Sequence, residues 1–276
     1  MSLADLYTDY LVARRRAAAA GPLGDALAAA GLATEAELWR AWCDGKTAVT
    51  IAAGPWTGRT AHLGSRAPAI AAIGDVWFDV CELVAMIHVG RSWLATRPVA
   101  AWQMRGFLAM SVRLPREVQV APGYTPLDPD RVAVGDRVTN VTAGEATLYA
   151  WWFGKTLPNL FDWRSAVETL PGAAMRELWR SSAREWTSSR LPDDEAVRVF
   201  VTPSTIDWVP SEVVDDELER PESRRAMLRG ELTRDPQIGF RTAVALQSGL
   251  LARVSAWDAI PEPIKLDWLI DRDFYA

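Results

Sequence analysis

Cysteine and histidine are scarce in this chain, which has two of each among its 276 residues. Both cysteines, Cys43 and Cys81, lie in the first third of the sequence. Two thiols in this arrangement do not describe a small secreted domain held by disulfides, so we expect reduced structural thiols in a cytoplasmic protein. The two histidines, His62 and His88, are too few for an iron site that needs three imidazole ligands.

Long apolar runs and an excess of positive charge are also missing. No segment approaches the roughly 18 apolar residues that a membrane helix needs, and the N-terminal sequence does not resemble a signal peptide. Acids outnumber bases by 35 to 30, a balance that gives no general attraction to phosphate backbones. We therefore expect neither a membrane nor a nucleic acid as partner.

The chain contains 14 tryptophans, a richness typical of a loop-rich fold held together by aromatic side chains. The N-terminal part, residues 1–69, is predicted to be helical with a linker. A turn at Gly21 and Pro22 is expected to separate two short helices, and Thr34 with Glu37 forms a capping-box pattern for a third helix. Residues 48–53 are predicted to form a short strand.

A different pattern begins near residue 70. Val76, Phe78 and Val80 alternate as in a strand, and residues 102–108 are predicted to form a helix. Residues 138–163 then predict a strand end, a short helix, a glycine turn and a second short helix. The side chains that mark this segment are Asn140, Trp152, Gly154, Lys155, Leu157, Pro158 and Trp163.

This order of residues resembles the signature of the formylglycine-generating enzyme, or sulfatase-modifying factor, family. Two later segments also resemble that family: Glu185 and Trp186 in the first, and the closing strand Gly239-Phe240-Arg241 in the second. The resemblance implies an α+β, C-type-lectin-like domain rich in irregular loops over residues 70–248. Residues 1–69 would then be a helical appendage, and residues 249–276 an extension packed on the domain.

The resemblance implies a fold more firmly than a chemistry. Formylglycine-generating enzymes bind copper through two cysteines in the C-terminal third, and this chain has none there. We therefore expect a divergent member without that activity and without a cofactor. Family members often hold structural calcium, which remains an open expectation here, although Ser181 and Ser182 replace a Gly-Asn pair associated with it.

Several side chains are expected to serve structure. Lys155, which follows Gly154, is predicted to cap the preceding helix, and Arg241 is predicted to pair with a buried acid. Glu185 is interpreted as a buried, hydrogen-bonded acid, and His88 as a core or edge-strand histidine. Tyr149, Trp152, Leu157 and Trp163 are predicted to pack into the core from one helical face.

The function that we expect is non-catalytic binding of an unidentified protein or small molecule. Recognition is predicted in the divergent residues 197–230 and beside them, because loops on a rigid scaffold commonly bind ligands. The candidate ligand-binding residues are Arg184, Arg198, Asp207 and Trp208. One alternative is an oxygen-dependent oxidoreductase of the same family with a rearranged site, and another is a maturation partner of a metabolic enzyme.

Overall fold

A computed structural model of the chain describes residues 1–13, 16–111, 133–134, 137–180, 184–191, 194–201, 228–230 and 235–245. Within these ranges the protein combines helices with antiparallel and mixed sheets, which makes it an α+β fold. The helices are α1 Leu3–Ala13, α2 Arg16–Ala29, α3 Ala33–Cys43, α4 Ala101–Ser111, α5 Ala143–Trp152, α6 Leu160–Thr169 and α7 Gly172–Arg180. None of them is long and apolar enough to cross a membrane.

The strands of the described residues form three sheets. The largest has the order β1-β2-β3-β4-β5-β12, and its strands are β1 Ala48–Thr50, β2 Thr60–Gly64, β3 Val76–Asp79, β4 Val84–His88, β5 Ser92–Ala95 and β12 Ala243–Ala245. A second sheet has the order β10-β9-β8-β11, with β8 Arg184–Leu191, β9 Asp194–Val201, β10 Leu228–Gly230 and β11 Ile238–Gly239. A short hairpin joins β6 Ala133–Val134 to β7 Arg137–Val138.

The central strands of the large sheet, β3, β4 and β5, are buried on both faces. Phe78 and Ile87 face a cluster that also contains the buried side chains of α1, α2, α3 and α6. The other face carries Trp77, Met86 and Trp93. The alternation of Val76, Phe78 and Val80 correctly predicted β3, but every residue of that strand is buried, because packing covers its second face as well.

The N-terminal helices differ in detail from their prediction. The expected turn at Gly21 and Pro22 is wrong, because α2 runs through both residues. Gly24 lets α2 approach α3 closely, since a Cβ there would lie 3.2 Å from Cγ of Arg40. Leu23 is fully buried in the same cluster as side chains of α3, and this packing offsets the hydrogen bond that Pro22 cannot donate.

The capping box predicted at Thr34 and Glu37 is also wrong. Helix α3 begins at Ala33, and Leu32 occupies the N-cap position without a side-chain hydrogen bond. Thr34 already lies inside the first turn, where its backbone is helical and cannot act as a cap. Glu37 instead accepts a hydrogen bond from the backbone N–H of Ala52, at 3.2 Å.

The segment 138–163 has the predicted order of elements: β7, α5, a turn at Gly154 and α6. Thr142 and Glu145 form a capping box at the start of α5. Gly154 has a φ of +66°, and the N–H of Lys155 donates to the carbonyl of Ala150 in a Schellman ending. A capping box thus fixes the start of α5, and a Schellman ending with Gly154 in the left-handed conformation fixes its end.

The four aromatic and aliphatic anchors do not share one helical face. Tyr149 and Leu157 pack in a second cluster with Phe107, Trp186 and Phe240, whereas Trp163, on α6, packs in the first cluster. Trp152 is half-buried and contacts both clusters. The prediction of core packing is confirmed for Tyr149, Leu157 and Trp163, but the anchors lie on both sides of the turn at Gly154 and divide between two clusters.

The strand predicted over residues 197–202 is confirmed as part of β9. Of the turn-rich connection expected over residues 115–135, the described residues include only 133 and 134. The expected extension 249–276 lies outside the described residues. The predicted boundary near residue 69 stays a prediction.

Candidate functional site

A pocket of about 350 Å³ opens where β11, the edge strand of the second sheet, meets β7. Four segments converge there: the turn before α4, the end of β7, the start of β8, and β11 with the two residues before it. The residues that line it are Pro98, Arg137, Val138, Thr139, Arg184, Glu185, Pro236, Gln237 and Gly239. A concave site of this size suits a small molecule.

Two arginines of the pocket begin regular strands, which fixes their backbones. Arg184 is the first residue of β8 and lies opposite Ile238 in the parallel pairing with β11. Arg137 pairs with Val134 across the β6–β7 hairpin and forms a bridge with Ala100. Arg184 is half-buried and Arg137 is exposed, so both guanidinium groups belong to a partly solvated site.

Glu185, the acid of the pocket wall, is bound by Arg241. Nε of Arg241 lies 2.6 Å from Oε2 of Glu185, and Nη2 lies 2.7 Å from Oε1. Arg241 also donates to the carbonyls of Ala95 and Leu178 and lies over the ring of Trp163. This bidentate pair confirms the prediction that Arg241 would pair with a buried acid and that Glu185 would be hydrogen-bonded.

The floor of the pocket requires glycine at position 239. A Cβ there would lie 2.8 Å from the carbonyl oxygen of Val138, so a side chain would push β11 away from β7. The hydroxyl oxygen of the neighbouring Thr139 is buried and has no hydrogen-bond partner. The backbone N–H of Asn140 (φ +58°) donates to the carbonyl of Asp235 and closes this end of the site.

The structure places the predicted ligand-binding residues in three different situations. Arg184 lines the pocket. Arg198 lies in β9, and the strand pairing puts it opposite Arg190 of β8 and Arg229 of β10. Asp207 and Trp208 lie outside the described residues.

The remaining side chains of the family-like segments hold this region together. The indole N–H of Trp186 donates to the carbonyl of Val141 at 2.9 Å, and the carbonyl of Pro158 accepts from the N–H of Ser188. The ring of Phe240 packs edge-on against Tyr149, with centroids 5.3 Å apart. These contacts connect β8 and β11 to α5 and so support the pocket from behind.

Lys155 does not cap α5 with its side chain, which corrects its prediction. Its ammonium group is buried, 2.6 Å from Oδ2 of Asp79 and 2.5 Å from Oε2 of Glu82. The hydroxyl of Thr242 also donates to Glu82, at 2.8 Å. The lysine therefore points at Asp79, at the end of β3, and at Glu82, in the following turn, rather than back along its own helix.

The acids of this buried cluster shift the pKa values of two neighbouring side chains, Lys155 and Tyr149. Burial alone would lower the pKa of Lys155, but Asp79 and Glu82 more than offset it and raise that pKa above its usual value. Burial, with the negative charge of Glu82, raises the pKa of Tyr149 well above its ordinary range. Lys155 is therefore held as a cation and Tyr149 as a neutral phenol, so neither is poised for acid-base chemistry near neutral pH.

His88 lies in β4, between β3 and β5, and is buried. Its Nδ1 lies 3.0 Å from the carbonyl oxygen of Ala72, which fits the predicted core histidine rather than an edge one. Within the described ranges, no group of three or more His, Cys, Asp or Glu side chains is arranged to hold a metal ion. Calcium binding stays an untested prediction.

Sequence reasoning missed Arg137 and Thr139 in the pocket, and Asp79 and Glu82 as the partners of Lys155. The acids did carry a signal, because both lie inside the apolar run from Val76 to Val89, where a carboxylate needs a cationic partner. Arg137 carried a weaker sequence signal, because it directly precedes the family-like segment 138–163.

No protein-family model, no curated protein and no solved structure matches this chain.

Proposed function

We propose that this protein is a non-catalytic module that binds a small molecule in the pocket between β7, β8 and β11. The observation that carries the proposal is the convergence of Arg184, Arg137 and Thr139 on one concave site. In pockets that bind small molecules, a few polar groups typically fix the orientation of the ligand and give specificity.

The scaffold that we propose is a divergent sulfatase-modifying-factor domain of the C-type-lectin-like type. Its support is the ordered series of family-like segments and their mutual contacts. The Gly-Lys-Thr turn bridges to the first residue of β12 through Thr156 and Ala243, and β12 pairs with β5. An experimental structure in which β12 leaves the large sheet would contradict this assignment.

A pocket-filling variant tests the proposed function. Gln237 is exposed at the mouth of the pocket, so Gln237→Trp should fill it without disturbing the core. Ala53→Trp, in an exposed loop outside the pocket, is the matched control. Ligand-observed NMR would use a panel of small organic acids, phosphate esters, amines and neutral sugars.

We expect at least one class of compound to bind the unaltered protein and Ala53→Trp but not Gln237→Trp. A panel without pocket-dependent binding would overturn the proposal. So would stoichiometric copper or iron in the purified protein together with substrate-dependent oxygen uptake, because that result would favour the oxidoreductase.

A further inference from the structure

We infer that two copies of this chain associate through the free edge of β1, so that the large sheet continues from one copy into the other. The inference goes beyond the proposed function, because no residue of β1 lines the pocket. It is drawn from the hydrogen-bonding pattern, the composition and the charges of this edge.

Strand β1 lies at one end of the large sheet and has β2 as its neighbour on one side only. The backbone N–H of Leu63 donates to the carbonyl of Thr47 at 2.8 Å, so residue 47 occupies a hydrogen-bonded position opposite β2. Such positions alternate along an antiparallel pair. The N–H and C=O groups of Ala48 and Thr50, in the same register, therefore point away from β2.

The outward edge of β1 is open. Ala48 and Thr50 are exposed, and within the described ranges no residue forms a hydrogen bond with their outward groups. Edge strands are commonly protected from pairing by a charged side chain or a proline, and β1 contains neither. An edge of this kind is a template for a further strand.

The open part of the edge is short and has a defined end. Ala52, two residues after Thr50, is the next outward position, but its N–H already donates to the Glu37 carboxylate at 3.2 Å. An added strand can therefore use the N–H groups of Ala48 and Thr50 but not that of Ala52.

A second copy of β1 fits this edge by symmetry. When two β1 strands pair antiparallel about a two-fold axis at Val49, Ala48 of each copy lies opposite Thr50 of the other. The two outward N–H groups and two outward C=O groups of each copy then form four hydrogen bonds. This register leaves none of the outward groups of Ala48 and Thr50 unpaired.

The charges beside the edge are complementary in the same register. Lys46 lies two residues before Ala48, and Ala52 lies two residues after Thr50, so Lys46 of each copy comes beside Ala52 of the other. Lys46 is exposed, and Ala52 holds the Glu37 carboxylate. Two symmetric ion pairs between Lys46 and Glu37 can therefore link the copies, a match that an unrelated extended peptide does not carry.

Charge reversal tests this arrangement. Lys46→Glu brings two acids together across the interface, and Glu37→Lys brings two bases together, so each variant alone should dissociate. In an equimolar mixture of the two variants, the mixed dimer regains both ion pairs. Sedimentation equilibrium over a wide range of concentrations measures Kd, with Arg91→Glu as the control because Arg91 is exposed and lies outside β1.

We expect the unaltered protein and Arg91→Glu to dimerise with similar Kd. Each reversed variant alone should raise Kd about tenfold or more, because two attractive surface pairs become repulsive, and the mixture should return close to the unaltered value. Thr50→Pro removes an outward N–H without removing a bond of the β1–β2 ladder, so this variant should be monomeric. Thermal unfolding of dilute samples checks the fold of each variant.

Amide exchange followed by NMR locates the contact. The N–H groups of Ala48 and Thr50 should exchange more slowly as the protein concentration rises, whereas that of Val49, which faces β2, should not change.

Three results would overturn the inference. The first is a monomer at every concentration up to the millimolar range. The second is a dimer that Thr50→Pro and both charge reversals leave intact, because it would use another surface. The third is slower exchange at Ala48 and Thr50 only after an unrelated extended peptide is added, because the added strand would then come from a different molecule.

Discussion

At the scale of single residues, Lys155 connects three distant parts of the chain. Its ammonium group contacts Asp79 at the end of β3 and Glu82 in the following turn, and Thr242 near the closing strand donates to the same Glu82. Two carboxylates and one ammonium leave the cluster with an acid in excess. Such a cluster stabilises only when it is complete, because a buried charge without its partner is costly.

Replacement of Lys155 by Met should therefore destabilise the protein strongly. The substitution leaves Asp79 and Glu82 buried together, and removing one partner of a buried pair costs about 3–5 kcal/mol. The triple variant Lys155→Met, Asp79→Asn, Glu82→Gln should recover much of that loss because no charge remains. Urea unfolding measures both free energies.

The matched control is Arg164→Ala, which breaks the pair with the exposed Glu168 at the surface of α6. A surface pair at this spacing contributes about 0.3–0.5 kcal/mol. The free energy of unfolding of this variant should therefore be close to that of the unaltered protein. Equal losses for Lys155→Met and Arg164→Ala would contradict the role assigned to the buried cluster.

Asp162 gives a prediction about pH. Burial raises the pKa of this carboxyl, although the hydrogen bond from the Asn159 N–H opposes the shift. A raised pKa means that the folded state holds the proton more tightly than the unfolded state does. The stabilisation is then complete below the unfolded pKa and is lost as pH rises through the folded one.

Asp162→Asn should remove that pH dependence while its side-chain oxygen still accepts from Asn159. As pH rises from 3 to 7, the free energy of unfolding of the variant should increase relative to that of the unaltered protein. Chemical denaturation at a series of pH values measures this difference. A constant difference over that range would show that Asp162 does not titrate with a raised pKa. Glu168→Gln, exposed on the same helix, is the control.

At the scale of elements, periodicity and turn residues predicted much of the central fold. The segment 138–163 was predicted correctly because Gly154 and the spacing of apolar residues act locally. The failures had non-local causes. Helix α2 persists through Pro22 because α3 covers it, and Lys155 points inward because acids more than seventy residues earlier attract it. No local pattern carries such contacts.

The same limit applies to the candidate site. Arg184 was predicted as a candidate together with the divergent residues 197–230, but its neighbour in the pocket, Arg137, comes from a hairpin 47 residues earlier in the chain. Their proximity depends on the parallel pairing of β11 with β8 and on the contact of Gly239 with Val138. Pairing between distant strands is set by the whole packing, so sequence spacing could not predict it.

The Schellman ending of α5 should be sensitive to its glycine. Gly154 has a φ of +66°, a conformation that costs an L-residue about 1–2 kcal/mol. Gly154→Ala should lower the free energy of unfolding by about that amount, measured by urea titration. Gly172→Ala, at the start of α7 and without a positive φ, should leave it unchanged or raise it, and a loss at Gly172 equal to that at Gly154 would contradict the backbone explanation.

At the scale of the whole molecule, the N-terminal helices and the sheet share one core. The hydroxyls of Tyr7 and Tyr10 donate to the carbonyls of Cys81 and Val80 in the β3–β4 turn. The side chains of α1 and α3 belong to the same buried cluster as Phe78 and Ile87. The turn that presents Glu82 to Lys155 is thus held from the other side by α1.

This arrangement predicts a single cooperative unfolding transition that includes the N-terminal helices. Gly106, on α4, is the place to test it, because a Cβ there would lie 2.6 Å from the ring of Tyr7. Gly106→Ala should wedge α1 away from α4 and lower the stability of every segment together, despite the higher helix propensity of alanine. Gly21→Ala is the control away from this contact: its built Cβ meets no atom within 4 Å apart from its chain neighbours and its own helix, so it should leave α1 on α4, although Pro22 disfavours a helical alanine before it. Hydrogen exchange with mass spectrometry across a urea series would follow peptides from α1, α3, α5 and β8. Loss of protection in α1 and α3 alone, with α5 and β8 unaffected, would mean that the helices are a separate folding unit.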